Sequence, residues 1–253
     1  MVSVFRNRHL AFFYHRYLTS QICRYLLAAL ILMGLTGCTS IGPSGVRPDI
    51  DMGPKVELRL LVYKDVKVSD QRAASIVAAI QKEFAQYGLI IEVPSIRPWQ
   101  RPSFDHQGIL RDIVRRPLEP PFDRSLVLVG RDVRDFLWGS LLPEILGAVE
   151  TMTHTKGYVV AKIGSLNQLL CFQSPQRAAV HEFYHMLGVD HEDGTRTICE
   201  KIARLKRSAI ENRYAGRDFF PGIDSSGKLY LSRTAVDRRF GIAPEMTAKL
   251  ATP

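Results

Sequence analysis

Val56-Glu-Leu-Arg-Leu-Leu-Val-Tyr63, then Ser69-Asp-Gln-Arg-Ala-Ala-Ser-Ile-Val-Ala-Ala-Ile-Gln-Lys-Glu-Phe84, then Gly88-Leu-Ile-Ile-Glu-Val93 form the stretch on which the fold turns. The first segment is β-branched and leucine-rich, the composition of a strand. In the second, Ser69-Asp70 supplies an N-cap, and Ala73, Ile76, Val77, Ile80 and Phe84 recur near the 3.6-residue helical period until Gly88 stops it. Leu89 to Val93 reads as a second strand. Strand, helix and strand within forty residues make the βαβ pattern, which favours parallel pairing with the helix on one face. The chain is expected to be α/β.

Further along, Ile96 to Asp123 is rich in proline and arginine and is expected to be loop, with one short helix near Ile109 to Val114. Leu126-Val-Leu-Val129 is a strand of the buried type. Asp132 to Leu146 is mixed, and Pro143 argues against one continuous helix there. Gly147 to Met152 and Tyr158 to Ile163 read as two strands around the turn Thr153-His-Thr-Lys-Gly157. The expectation is a mixed, mostly parallel five-stranded sheet with a backing helix, a second helix carrying the chemistry and a helical C-terminal part.

Before the first strand, the sequence reads as an address. Arg6, Arg8, Arg16 and Arg24 precede the apolar run Leu26 to Leu35 with no acidic residue among them, the layout of an export signal. That run is far short of the roughly 20 residues that a membrane-spanning helix needs. Leu35-Thr36-Gly37-Cys38 resembles the bacterial lipobox, which implies cleavage before Cys38 and a lipid on that cysteine. Residues 1–37 are then a signal peptide, 38–54 a lipidated cysteine with a Gly/Pro/Ser-rich flexible tether, and 55–253 one folded domain.

Of the 253 residues, 46% are hydrophobic and 23% charged, a globular composition that needs a hydrophobic core. Four cysteines exclude a disulfide-dense scaffold or a Cys-rich zinc finger. The net charge falls from +9 to +5 when the four signal arginines leave, and an exported lipoprotein does not meet a genome, so no nucleic-acid partner is expected. Lys201, Arg204, Lys206, Arg207 and Arg213 crowd a predicted helix of about Glu200 to Arg213. They read as a solvated face, or alternatively as a patch for an anionic surface.

The chemistry is concentrated in His181-Glu-Phe-Tyr-His-Met-Leu-Gly-Val-Asp-His191. Ser174-Pro175 opens a helix upstream, so His181 and His185, four residues apart, share one face with Cβ atoms about 5–6 Å apart. Val180, Phe183, Met186 and Leu187 lie on the opposite side and can pack on the sheet. Glu182 is expected to project beside the histidines rather than into the core. Gly188 can adopt the left-handed conformation that ends a helix, letting the chain turn and return His191 to the same point. Three neutral imidazoles leave a fourth position for water, the catalytic arrangement for zinc. Zinc would bring that water's pKa to about 7, with Glu182 accepting the proton and handing it to a leaving amine. Shuffling this composition would produce the spacing with a probability on the order of 10⁻⁵. His106 and His154 sit in loop contexts and read as solvated.

This window resembles the signature H-E-x-x-H-x-x-G-x-x-H of the metzincin clan of zinc metalloproteases. The resemblance implies His181, His185 and His191 as ligands of one zinc ion, Glu182 as general base and acid, and Gly188 as the turn. It also implies an α+β fold like that of a small catalytic domain such as the archaemetzincins', over about Val56 to His191. In such sheets an antiparallel edge strand above the zinc pairs with the substrate; Gly147 to Met152 has that place in the order, with Gly147 and Ala148 small enough to admit a backbone, and it reads equally as an ordinary edge strand that pairs with nothing. The clan expects a methionine beneath the zinc. The only one left is Met246, 55 residues beyond His191, and Ile198-Cys199 is positioned for a shortened turn instead.

The function expected is a zinc endopeptidase acting on peptides or proteins, tethered by its lipid to the bacterial cell envelope. Thr39 after Cys38 resembles the sorting pattern for the periplasmic face of the outer membrane. A gluzincin arrangement, with Glu200 or Glu211 as third ligand, is disfavoured by Gly188 and His191. The alternative from another class is a zinc-holding lipoprotein that captures peptides or cell-wall material without turnover. In an oxidising compartment Cys171 and Cys199, which flank the zinc helix, are expected to form a disulfide or else to be small buried residues. Tyr214 and Phe219-Phe220-Pro221 could wall a pocket or pack in the core.

Overall fold

The structure, a computed structural model, describes residues 49–131, 135, 145–161 and 174–243. The export signal, Cys38, Cys171 and Met246 lie outside the described residues. β1 (Val56–Asp65) is followed by α1 (Asp70–Ala85) and β2 (Leu89–Glu92), and β1 and β2 pair in parallel from Val56↔Leu89 to Arg59↔Glu92. Ser69 caps α1 by accepting from the Arg72 N–H, and Ala73, Ile76, Val77, Ile80 and Phe84 are its buried residues. Gly88, at φ 69°, turns the chain into β2.

The next segment departs from the expected loop. Ile96–Trp99 forms β3, which continues the sheet edge where β2 leaves off by pairing with the second half of β1, Val62↔Ile96 to Asp65↔Trp99. The strand was hidden by Pro98, which cannot donate to a ladder and is tolerated on an edge strand. α2 (His106–Arg115) is longer than expected because Asp105 caps it, accepting from the Gly108 N–H. Trp99 then donates its indole N–H to Asp112 at 2.9 Å, tying β3 to that helix.

β4 (Arg124–Val129) lies parallel to β1 on its other side, β6 (Lys156–Val160) parallel to β4, and β5 (Gly147–Val149) antiparallel to β6. With β2 and β3 sharing one edge, the sheet is five strands wide among the described residues, in the order β2-β1-β4-β6-β5. This is the mixed, mostly parallel α/β architecture expected. β5 ends sooner than the sequence suggests because Glu150 draws the chain into a turn. Its carboxylate accepts from the N–H groups of Met152, Thr153 and Thr155 at 2.9, 2.8 and 2.6 Å and from the Thr153 hydroxyl at 2.6 Å.

Successive β1 side chains point to opposite faces, and each face has its own core. Val56, Leu58, Leu60 and Val62 pack with α1, with α3 (Pro175–His185) and with Ile198, Cys199, Ile202 and Leu205 of α4 (Thr195–Tyr214). Leu61 and Tyr63 pack with Ile109 and Ile113 of α2 and Val236 of α5 (Arg233–Arg239). β7 (Gly222–Ile223) and β8 (Leu229–Tyr230) form a small hairpin between α4 and α5. Among the described residues, no helix is long and apolar enough to cross a membrane.

The basic helix is not a uniformly solvated face. Lys206 is 1% exposed and donates to the carbonyls of Met52 and Tyr87 at 2.5 and 2.7 Å, while Arg204 reaches the Gly227 carbonyl. Lys201 is half-buried, whereas Arg204, Arg207 and Arg213 are as exposed as expected, and Arg213 still bonds the Glu57 carbonyl. Ile198 and Cys199 are buried on the inner side of α4 rather than in a turn, because Thr195 starts that helix only four residues after His191.

Candidate metal centre

α3 carries two of the three histidines, and its ends explain why they stand where they do. Ser174 accepts from the Arg177 N–H, Pro175 occupies the first turn, and the helix runs without interruption to His185. Phe183 and Tyr184 drive into the core against Phe84, with ring centroids 4.8 and 4.7 Å away. The Tyr184 hydroxyl is 2.9 Å from that of Tyr87 and donates to Glu83. This anchored apolar side fixes the rotation of α3 and turns His181 and His185 together to the other side. Met186 and Leu187 are buried as expected, and Val180 is half-buried against the same core.

Beyond His185 the chain closes through Leu187 N–H to Tyr184 O, Gly188 N–H to His185 O and Val189 N–H to Tyr184 O. Gly188 has φ 71°, the left-handed region. A Cβ there would also stand 2.8 Å from Ile223 Cγ2, so both backbone conformation and space require glycine. The turn returns His191 to the helix. The ring centroids of the three histidines lie 4.8 Å (His181 to His185), 5.0 Å (His181 to His191) and 4.7 Å (His185 to His191) apart. One ligand atom from each comes within 4.8 Å of the others.

The electrostatics suit a cation. His185 donates Nδ1–H to the Val189 carbonyl at 2.7 Å, which leaves Nε2 as the lone-pair nitrogen, 3.2 Å from His181 Nε2. Burial, with His185 and His191 alongside, pushes His181 down to about 4. Burial also lowers His185. Both rings therefore stay neutral at pH 7, as metal ligands must be. The donor set fits zinc, and no group of three or more other His, Cys, Asp or Glu residues among the described ones is placed to hold a metal.

Glu182 departs from the expected position beside the histidines in one respect: it is buried, 7% exposed, beneath the edge strand. A Cβ at Gly147 would stand 2.5 Å from Glu182 Cγ and 2.8 Å from its Oε1. The smallness of Gly147 thus makes room for the glutamate side chain rather than simply for a visiting backbone. Burial pushes the Glu182 carboxyl up to about 8. A cation held by the triad would oppose that shift.

No protein-family model matches the chain, and no curated protein matches it. Among solved structures it is similar to archaemetzincin from Methanopyrus kandleri. The TM-score is 0.38 at 14% identity, over 61% of this chain and 96% of that one.

The other sequence candidates fall elsewhere. His106 begins α2 and pairs through Nδ1 with the Tyr158 hydroxyl. His154 is buried, with φ 53°, and donates Nδ1–H to the Ile223 carbonyl at 2.6 Å; it is no solvated loop histidine. Phe219 and Phe220 are core residues, and Tyr214, 89% exposed, ends α4. Cys199 is buried, and the cysteine expected to pair with it lies outside the described residues.

Two cations that the sequence reading did not connect with the site hold the backbone around it. Arg124, fully buried at the head of β4, donates Nε–H to the Met186 carbonyl at 3.2 Å. Its other nitrogens reach the carbonyls of Asp123, Phe220 and Pro221 at 2.8, 3.1 and 2.6 Å. Burial pushes the guanidinium down to about 10, so it remains a cation at neutral pH. Lys201 of α4 reaches the loop on the other side of Gly188. A charge leading an apolar strand is the one local signal that could have marked Arg124.

Proposed function

We propose that this chain is a zinc-dependent endopeptidase of the metzincin type, held at the bacterial envelope by a lipid on Cys38, on the periplasmic face of the outer membrane. The observation that carries the reading is the convergence of His181, His185 and His191 with Glu182 buried between the first two on the same helix and packed under the sheet edge. The H-E-x-x-H-x-x-G-x-x-H spacing supports the same assignment.

His181, His185 and His191 would hold the zinc, with His185 oriented by the Val189 carbonyl. When bound, zinc supplies an acidified water and a Lewis acid for the scissile carbonyl. Glu182 takes the proton from the attacking water and delivers it to the departing amine. Its burial excludes bulk water from that transfer, and a glycine at position 147 leaves the space that the glutamate side chain occupies. A substrate strand added to β5, at the end of the sheet order, would lie across this carboxylate.

The purified chain is expected to bind one zinc ion, and chelation is expected to abolish hydrolysis of a peptide library reversibly. His185→Ala should lose zinc and hydrolysis together, because two imidazoles hold zinc poorly. Full zinc occupancy in folded His185→Ala would remove this site from the account.

For the anchor, mass spectrometry of the membrane fraction should find the mature N-terminus at an acylated Cys38. An unmodified N-terminus, or unchanged membrane partition in Cys38→Ala, would refute lipidation while leaving the peptidase reading intact.

A further inference from the structure

The three histidines are not held alike. His181 and His185 are one turn apart on α3, and a packed helix fixes their separation. His191 is exposed and lies six residues beyond His185, past a glycine, in a stretch with no regular secondary structure before α4. Inside that stretch the chain makes its own small turn. Asp193 N–H donates to the Asp190 carbonyl at 3.1 Å, and Asp190 N–H donates to Asp193 Oδ2 at 2.7 Å.

One side chain from α4 enters this turn. Lys201 Nζ donates to the Gly188 carbonyl at 2.9 Å, to Asp190 Oδ2 at 3.0 Å and to Asp193 Oδ2 at 2.6 Å. An ammonium has three N–H donors, and three contacts are made, on both sides of His191. Its acceptors bracket the ligand: Gly188 at the end of the helix cap, Asp190 immediately before the histidine and Asp193 two residues after it. Lys201 stands on a 20-residue helix whose apolar side is built into the core, so the loop is referred to a rigid element.

We infer that Lys201 is a positioning residue for the third metal ligand, its ammonium holding the Gly188 to Asp193 loop in the form that brings His191 to His181 and His185. The inference rests on the proposed metal site. The apparent dissociation constant is divided by the fraction of molecules already in the binding form, so a loop released from Lys201 both lowers that fraction and lets His191 settle differently on the ion, and the metal is held more weakly even though all three imidazoles remain. Lys201 touches neither metal nor substrate. It acts through the backbone on either side of His191.

The test is zinc affinity of the full chain, by competition with a chromophoric chelator, for wild type, Lys201→Met and Asp193→Asn. Lys201→Met keeps most of the stem and removes the three donors. Asp193→Asn keeps the shape and removes the charge. Lys201→Met is expected to bind zinc about 10–100-fold more weakly, the usual consequence of losing a partner behind the ligands, and Asp193→Asn less so. Arg196→Met, which removes only an exposed pair with Glu200 on the same helix, should retain wild-type affinity.

With cobalt(II) in place of zinc, the visible bands of Lys201→Met should shift in position and intensity, because the coordination geometry changes; a contact that merely stabilised the fold would leave them alone. Far-UV circular dichroism and the thermal midpoint of the metal-free proteins establish that the variants are folded. Should Lys201→Met not fold, Asp193→Asn carries the comparison. Wild-type zinc affinity in either folded variant, with an unchanged cobalt spectrum, overturns the positioning role and leaves the metal site standing. Absence of zinc binding in the wild type overturns both.

Discussion

Glu182→Gln is expected to keep one zinc per chain and the native fold while peptide hydrolysis falls by at least about 10²–10⁴-fold, the range typical of losing a general base. The substitution is nearly isosteric, so the space left by Gly147 remains filled and the edge strand stays in place. Glu182 is not among the three side chains that converge on the ion position, so affinity for zinc should change little. The amide can neither take a proton from water nor return one to an amine. The loss should appear in kcat, since the group acts in the transition state rather than in holding substrate. Glu182→Gln purified in parallel is also the control for contaminating proteases. Equal background release of peptides by wild type and variant, both with zinc bound, would transfer the site from a peptidase to a binding lipoprotein.

The second large effect is on stability. Arg124→Met should destabilise the protein by about 3–5 kcal/mol, because a buried guanidinium that serves several carbonyls cannot be replaced by water when it is removed. The orphaned acceptors belong to Met186 at the end of the metal helix, to Asp123 and to the Phe220-Pro221 segment, so three parts of the chain lose a common tie. That is a large share of the 5–15 kcal/mol typical of a domain. The denaturation midpoint should fall, and zinc occupancy should become sensitive to mild denaturant before the rest of the fold is lost. Arg124→Lys keeps the charge but lacks the planar fork that reaches several carbonyls at once, and should recover only part of the loss. A denaturation midpoint for Arg124→Met within error of the wild type would show that the four hydrogen bonds are replaceable.

Local spacing alone carried the parts of this protein that are set by helix and strand periods. Ser69 and the 3.6-residue apolar pattern to Phe84 specify α1, and Ser174-Pro175 with Phe183, Met186 and Leu187 specifies α3 and the side of it that faces the core. The same helical geometry places His181 and His185 together, and the need for a left-handed residue makes Gly188 the turn that returns His191. These are relations within a few residues, and the identity of the side chains decides them.

Contacts across long sequence separations were decided by the tertiary structure. Arg124 meets carbonyls 62 to 97 residues away, and Lys201 meets that of Gly188, and every residue in a chain has a carbonyl, so no residue type advertises the acceptor. β3 was hidden because Pro98 reads as a breaker until its place on a sheet edge is known. Gly147 read as an opening for a passing backbone; that Glu182 also packs beside it shows only in the fold, and burial there gives the carboxyl its raised pKa. The sequence by itself determined which side chains can hold the ion and on which side of a helix they stand. Only the tertiary structure decided what holds those side chains still, because backbone acceptors and burial depend on which distant segments the sheet brings together.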